Sequence, residues 1–141
     1  MSKNDNKLPM QQQNALIDAA NAAMDKAYAP YSKFHVGAAI LTADGKIHSG
    51  CNVENAAYPV GNCAEASAIS AMVLAGQLKI LAIAVAGAGD ELCTPCGGCR
   101  QRIREFAQPE TPILICDSKG LRHKTTLAEL LPLSFGPNNL S

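Results

Sequence analysis

Apolar residues recur at spacings of three and four near the start of the chain, and further on they form short alternating or continuous runs. The first pattern predicts an amphipathic helix over Gln13–Tyr28, which Ala-Pro-Tyr at 29–31 ends. Turn residues Ala43-Asp44-Gly45 between two apolar segments predict a hairpin. The predicted strands are Phe34–Leu41, Lys46–Val53, Lys79–Ala86, Pro112–Cys116 and a short one near Arg122–Lys124, and the later helices are Cys63–Ala75, Cys96–Phe106 and Leu127–Leu131.

This order of elements favours an α/β fold with a mixed central sheet and helices on its faces. The chain of 141 residues is 48% hydrophobic and 17% charged, which is typical of one globular domain over residues 1–141. Residues 1–12 are polar and are expected to form a disordered tail. Ser134–Ser141 has no core pattern of its own, so we expect it to need another surface to be ordered.

Charge and hydropathy exclude several classes of partner. Twelve Lys+Arg against twelve Asp+Glu leave no net field for a polyanion, and the basic run at 100–104 is interrupted, so we expect no nucleic-acid partner. The polar N-terminus lacks the apolar stretch of a signal peptide, which predicts a cytoplasmic location. The longest apolar run, residues 80–89, is half the length of ~20 residues that a membrane helix needs, and no membrane contact is expected.

Three cysteines stand where helices are predicted to begin. Cys96 and Cys99 are three residues apart after Pro95, a spacing that puts both thiols on one face of a first helical turn. Cys63 also begins a helix, and the positive end of each helix dipole should lower the thiol pKa. Three protein ligands with an open fourth position are the usual pattern of catalytic zinc.

Other roles for these cysteines remain open on spacing alone. A Cys-x-x-Cys pair is also found in redox proteins, and Cys93 offers a fourth thiolate that would close the site and make it structural or part of an iron–sulfur ligand set. Cys93 precedes Pro95 and lies outside the helical turn, which favours the three-ligand interpretation. Cys51 and Cys116 end apolar strands and are expected to be small core residues.

The sequence contains Gly50-Cys-Asn-Val-Glu-Asn-Ala-Ala-Tyr-Pro, then Cys63-Ala-Glu65, then Pro95-Cys-Gly-Gly-Cys-Arg-Gln. With these motifs the chain resembles the cytidine deaminase family, from about Pro30 to Pro137. The resemblance implies a three-layer α-β-α fold with about five strands, one zinc ion per chain and hydrolysis of cytidine or deoxycytidine to the uridine product and ammonia, in pyrimidine salvage. It also implies a homotetramer with shared active sites and a free nucleoside as substrate.

The resemblance assigns roles to individual residues. It makes Cys63, Cys96 and Cys99 the zinc ligands and Glu65 the group that moves protons between the water, the ring and the leaving amine. Asn52 and Glu54 are two apart on a strand and share one face, and in the family the matching residues bind the ribose hydroxyls. The substrate-binding residues that the resemblance implies are Phe34, Asn52, Glu54, Ala57, Tyr58, Ala64 and Phe135, the last reaching in from a neighbouring subunit.

The chain departs from the family pattern at one position. Members with three cysteine ligands often read Cys-Ala-Glu-Arg, where the arginine offsets thiolate charge, whereas this chain has Ala66. Zinc with three thiolates carries about one net negative charge, so another group should compensate. The helix N-termini are the first candidates, followed by Arg100 or Arg104. A zinc-stabilised structural module and a redox protein are the alternative functions.

Overall fold

Every predicted helix and strand is present in the computed structural model, which describes residues 8–140. Their bounds are α1 Met10–Met24, β1 Val36–Leu41, β2 Ile47–Cys51, α2 Ala64–Leu74, β3 Ala82–Gly87, α3 Gly97–Phe106, β4 Pro112–Asp117, β5 Gly120–Thr126 and α4 Leu127–Leu130. None of the helices within these residues is long and apolar enough to cross a membrane.

Helix α1 begins and ends earlier than its apolar pattern predicts. It begins directly after Pro9, whose carbonyl accepts a hydrogen bond from the backbone N–H of Gln13 at 2.9 Å. At its other end, the backbone N–H of Tyr28 donates to the backbone carbonyl of Asn52 at 3.0 Å and not to a carbonyl of α1, so the helix ends before Tyr28. Met10–Gln12 therefore belong to a helix and not to the predicted tail of residues 1–12. Residues 1–7 lie outside the described residues.

The five strands form one mixed sheet in the order β2-β1-β3-β4-β5. Neighbouring strands are antiparallel except for β3 and β4, which run parallel and pair Ala84 with Leu114. Parallel neighbours need a crossover connection, and α3 supplies it here. All six residues of β3 are buried, as expected for a central strand covered on both faces.

Helices cover both faces of the sheet. Side chains that alternate along β1, β3 and β4 enter two separate cores, so that Ala39, Ala84 and Leu114 meet α1. The opposite face carries Ile40, Val85 and Ile115 and packs on Ala68 and Met72 of α2 and Ile103 of α3. The predicted three-layer α-β-α arrangement with five strands is confirmed.

Two glycines let helices approach the sheet closely. A Cβ atom on Gly37 of β1 would lie 2.1 Å from the backbone oxygen of Ala20 in α1, and one on Gly50 of β2 would lie 2.4 Å from the backbone nitrogen of Ala68 in α2. Any side chain at these positions would push its helix away from the sheet. The contact at Gly50 fixes the distance of α2 from the sheet, and α2 carries the acidic residue of the candidate site.

Candidate active site

The sulfur atoms of Cys63, Cys96 and Cys99 all lie within 4.8 Å of one another. Cys63 is the residue immediately before α2, Cys96 is the residue immediately before α3, and Cys99 is in the first turn of α3. Cys99 has no exposed surface, Cys63 is half-buried and Cys96 is exposed. Within residues 8–140 this is the only group of three or more metal-ligating side chains that converges in this way.

The donor set fits a zinc ion. Thiolate sulfurs are soft ligands, and three of them from one chain suit zinc with a fourth position left for water or substrate. At the start of α3, the backbone N–H groups of Cys99 and Gly98 also bond the Cys96 sulfur. These three residues therefore can hold one zinc ion.

Cys93 does not belong to this group. It is half-buried and packs on Gly87 of β3, where an added Cβ would lie 2.7 Å from the Cys93 sulfur. Burial raises the pKa of the Cys93 thiol to about 11. The geometry thus disfavours a closed four-cysteine site. Cys116 is buried and donates to the Val85 carbonyl at 3.4 Å, as expected of a core residue.

The prediction that the helix starts lower the thiol pKa is confirmed for Cys96 and wrong for the other two cysteines. The backbone N–H of Cys99 lowers the pKa of the exposed Cys96 thiol. Burial raises the pKa of both Cys63 and Cys99, and the nearby Glu65 charge adds to the effect. Removal from water opposes the charged form of a thiol more strongly than the helix dipole favours it. Metal binding at these sulfurs must therefore be coupled to proton release.

Glu65 is buried beside the cysteines, with 5% of its surface exposed. Burial raises the pKa of its carboxyl group, while a hydrogen bond from Cys99 and the positive charge of Arg102 act in the opposite direction. Glu65 is the second residue of α2, so its side chain passes round the first turn to reach the sulfurs. A buried carboxyl group with a raised pKa beside metal ligands is suited to proton transfer.

Three comparisons with known proteins agree on the family. Residues 10–115 match the model of the cytidine and deoxycytidylate deaminase zinc-binding region. A cytidine deaminase from Sporosarcina psychrophila is 44% identical over 126 residues, which cover 89% of this chain and 93% of that protein. This chain belongs to the cytidine and deoxycytidylate deaminase family.

Solved structures of cytidine deaminases have the same fold. The Burkholderia pseudomallei enzyme has a TM-score of 0.81 and 46% identity, covering 86% of this chain and 98% of that chain. The Mycobacterium tuberculosis enzyme has a TM-score of 0.75 and 39% identity, covering 87% and 96%. The likeness therefore extends over nearly the whole of these deaminases and is not confined to the zinc-binding motifs.

Asn52 and Glu54, the predicted ribose-binding pair, both bind the segment before β1. Asn52 accepts a hydrogen bond from the Val36 backbone N–H and donates one to the Phe34 carbonyl, each at 2.9 Å. The Glu54 carboxylate accepts from the backbone N–H groups of Tyr31 and Ser32 at 3.0 and 3.1 Å and from the Ser32 hydroxyl. These contacts hold the segment at 31–36 against the end of β2.

Glu54 and Tyr58 also line one cavity of about 250 Å³, which is open to solvent. The other residues that line it are Tyr31, Ser32, Asn55 and Gly61. The rings of Tyr31 and Tyr58 stand 5.8 Å apart at an angle of 57°. A cavity that combines a carboxylate with aromatic walls suits a small polar ligand that has an apolar face.

The remaining predicted substrate residues occupy different surroundings. Ala57 is exposed at the start of a short 3-10 turn, Tyr58–Val60, and the Phe34 ring lies near Gly87 and Gly89 at the end of β3. The Ala64 side chain is buried in the core, so only its backbone can face a ligand. Phe135 is 58% exposed, and its carbonyl accepts from the Gln101 side chain at 2.8 Å.

Sequence reasoning missed Arg102, Tyr31 and Ser32. Arg102 donates from Nη1 to the Cys99 sulfur at 3.7 Å, whereas Arg100 and Arg104, the arginines proposed as charge partners, bind other groups. One signal was available, because residues three apart on a helix are neighbours and Arg102 follows Cys99 by three. No local signal links Tyr31 and Ser32 to Glu54, which lies more than 20 residues along the chain.

Proposed function

We propose that this chain catalyses the hydrolytic deamination of cytidine, deoxycytidine or both, giving uridine or deoxyuridine and ammonia. The observation that carries the proposal is the meeting of Glu65 with the sulfurs of Cys63, Cys96 and Cys99. The relatives named as cytidine deaminases, which match along nearly their whole length, support the same activity.

In this proposal Cys63, Cys96 and Cys99 hold one zinc ion and Glu65 moves the protons. Zinc, when bound, lowers the pKa of water toward about 7 and so supplies the nucleophile for the pyrimidine C4. The Glu65 carboxylate would take the first proton of that water and deliver it to the ring nitrogen N3 as the water oxygen bonds C4. It would then take the second proton, from the hydroxyl now on C4, and deliver it to the amine, so that the C4 carbonyl forms as the C4–N bond breaks and ammonia leaves. Its burial keeps competing bulk water away from these transfers and sets its pKa closer to the pH of the reaction.

Asn52 and Glu54 are proposed to bind the ribose. A carboxylate has about four acceptor positions, and Glu54 uses three of them on Tyr31 and Ser32, so one remains for a hydroxyl donor. The Asn52 amide retains one N–H donor after its bond to Phe34. One free acceptor and one free donor match a single ribose hydroxyl, which supports a nucleoside as the substrate whether or not the second hydroxyl is present.

The other proposed substrate contacts are Tyr58, Ala57, Phe34, Ala64 and Phe135. Tyr58 lines the cavity together with Glu54, and Ala57 is its neighbour in the chain. Phe34 accepts a hydrogen bond from Asn52, and Ala64 offers its backbone beside Glu65. Phe135 is proposed to cover the base in a neighbouring subunit. Its ring is largely exposed while its backbone is fixed to α3, which suits a side chain that projects toward another chain.

We further propose a cytoplasmic homotetramer with shared active sites that acts in pyrimidine salvage. Exposed apolar side chains occur in several stretches of the described residues, at 28–34, 53–60, 73–81 and 133–140. Apolar patches of this kind mark surfaces that pack against another protein. Light scattering coupled to size exclusion should give about four times the chain mass of 14.8 kDa.

An absorbance assay with cytidine, deoxycytidine and cytosine tests the proposed reaction. The wild-type protein, with its zinc content measured by mass spectrometry, should deaminate the nucleosides. Glu65→Gln keeps the shape of the side chain and removes the basic oxygen, so it should retain zinc and lose nearly all turnover. Absence of nucleoside turnover by the zinc-loaded wild type, or turnover retained by Glu65→Gln, would contradict the proposal.

A further inference from the structure

The three thiolates and Glu65 together bring more negative charge to the site than one divalent zinc ion neutralises. Three thiolates and one Zn²⁺ leave one net negative charge, and the buried Glu65 lies next to it. The position one helical turn after Cys63 is occupied by Ala66, which brings no charge. The N-terminus of α3 supplies part of the compensation, because backbone N–H groups there bond the Cys96 sulfur, and a positive side chain would add to it.

Three arginines on α3 are candidates for this role, and their partners separate them. Arg100 donates to the carbonyls of Pro95 at 2.7 Å and Leu130 at 2.8 Å, so its guanidinium joins loops. Arg104 donates to the Ser134 hydroxyl at 3.0 Å and holds the C-terminal segment. Of the three, Arg102 alone donates to a cysteine among the described residues, from Nη1 to the Cys99 sulfur at 3.7 Å.

The Arg102 side chain lies over the first turn of its own helix. Its guanidinium folds back over the first turn of α3, where a Cβ added to Gly98 would lie 3.4 Å from Nη1. Arg102 follows Cys99 by three residues, just as Ala66 follows Cys63 by three. The two positions thus have the same spacing in sequence from a metal-ligating cysteine, one just before α2 and the other within α3.

We propose that Arg102 is the positioning residue that offsets the thiolate charge of the zinc site through its bond to the Cys99 sulfur, in place of an arginine at position 66. The proposal rests on the proposed zinc site and goes beyond the deaminase reaction. The positive charge stabilises the anionic zinc complex, and the N–H···S bond withdraws electron density from the sulfur. Less donation from Cys99 leaves the zinc more electrophilic.

Zinc affinity and the cobalt spectrum of Arg102 variants test this role without any substrate. Arg102→Gln should weaken zinc binding by about tenfold or more in competition with a chelator. In the Co²⁺-substituted protein its sulfur-to-metal charge-transfer band should move to longer wavelength, because a sulfur without the N–H···S bond is richer in electrons. Arg102→Lys keeps the charge and should recover most of the affinity.

Moving the arginine to the other helix separates charge compensation from packing. The double variant Ala66→Arg with Arg102→Gln should bind zinc more tightly than Arg102→Gln alone. Arg122→Gln is the matched control, because it removes one arginine charge on β5, where Arg122 bonds the Asp90 carbonyl at 2.7 Å, and its zinc affinity should equal that of the wild type. Circular dichroism shows whether each variant is folded.

The proposal is overturned if folded Arg102→Gln binds zinc as tightly as the wild type with an unchanged cobalt band, or if neither Arg102→Lys nor Ala66→Arg restores a lost affinity. These results are independent of turnover. A wild-type protein that fails to deaminate cytidine would refute the proposed reaction while leaving the metal affinities to decide the role of Arg102.

Discussion

Glu54 binds Ser32 through both the backbone N–H and the hydroxyl of that serine. The two residues are 22 apart in the chain, and their contact fixes the segment that leads to Phe34 and β1. The Ser32 hydroxyl also accepts from the Phe34 backbone N–H at 3.0 Å. Ser32 therefore positions both Glu54, which is proposed to bind the ribose, and Phe34, which is proposed to pack on the base.

Ser32→Ala should raise the KM for cytidine while leaving the zinc content at one ion per chain. The variant removes the hydroxyl that bonds both the Glu54 carboxylate and the Phe34 backbone N–H, so a rise in KM on the order of tenfold is expected. Steady-state kinetics and metal analysis on the same sample measure both quantities. Ser118→Ala, which changes a serine outside the site, is the matched control. An unchanged KM would show that the bonds of Ser32 with Glu54 and Phe34 do not position residues that bind the substrate.

Glu54→Gln should change how stability depends on pH. The Ser32 hydroxyl, followed by the Ser32 backbone N–H, holds the pKa of Glu54 below its ordinary value of 4.5. A carboxyl group with a lowered folded-state pKa stabilises the fold above pH 4.5, and this contribution disappears as the pH falls through the lowered value. The free energy of unfolding of the wild type should exceed that of Glu54→Gln at neutral pH, with the difference shrinking below pH 4.5.

Denaturant unfolding of both proteins across that pH range measures this difference. Loss of zinc at low pH affects the two proteins alike and cancels in the comparison. Glu110→Gln, a change in an exposed loop, is the matched control for removal of one carboxylate charge. A gap between wild type and Glu54→Gln that stays constant with pH would contradict the role assigned to the carboxylate.

Cys93→Ser should keep one zinc ion per chain and keep deaminase activity. Cys93 packs against Gly87 and not against the three converging sulfurs, so its loss should cost only about 1 kcal/mol of folding free energy, from placing a hydroxyl in a half-buried apolar site. Cys99→Ser, tested beside it, should lose most of the zinc. If Cys93→Ser lost its zinc while staying folded, the three-ligand site would be wrong.

Gly50→Ala and Gly37→Ala should both destabilise the fold, and only the first should also impair catalysis. The added methyl group collides with α2 at Gly50 and with α1 at Gly37, and forced repacking of this kind costs about 1–3 kcal/mol or more. Helix α2 carries Glu65 and follows Cys63, whereas α1 lies on the opposite face of the sheet. Unfolding measurements and kcat for the two variants give the comparison, and equal losses of kcat would contradict it.

Local sequence patterns predicted the elements and placed Cys63, Cys96 and Cys99 at helix starts, because both depend on residues close in the chain. The assignment of the three cysteines to one zinc ion came from the family resemblance. Helix starts at Cys63 and Cys96, the hairpin at 43–45 and the layered fold all follow from short-range spacing and turn chemistry. The end of α1 was misplaced because the bond from Tyr28 to Asn52, a residue far along the chain, competes with the helix.

The partners and the burial of individual side chains were harder to predict than the helices and strands. Arg100 reaches Leu130 across 30 residues, and nothing near Arg100 in the sequence indicates that carbonyl. The pKa of Cys63 and Cys99 depends on burial, which a pattern of helix starts does not report. The roles of Glu65 and the substrate residues came from family resemblance, since their spacing fits many ordinary helices and strands.

The three sulfurs differ in exposure, so one of them is more open to chemical attack than the other two. Cys99, in the first turn of α3, is fully buried, while Cys96 is exposed and its thiol pKa is lowered by the backbone N–H of Cys99. An oxidant or alkylating agent that approaches from water therefore meets Cys96 first, and the thiolate is the form of a cysteine that reacts. Inactivation by such reagents should begin at one sulfur and be slowed by anything that occupies it, which makes a reducing buffer and added zinc the natural conditions for handling this protein.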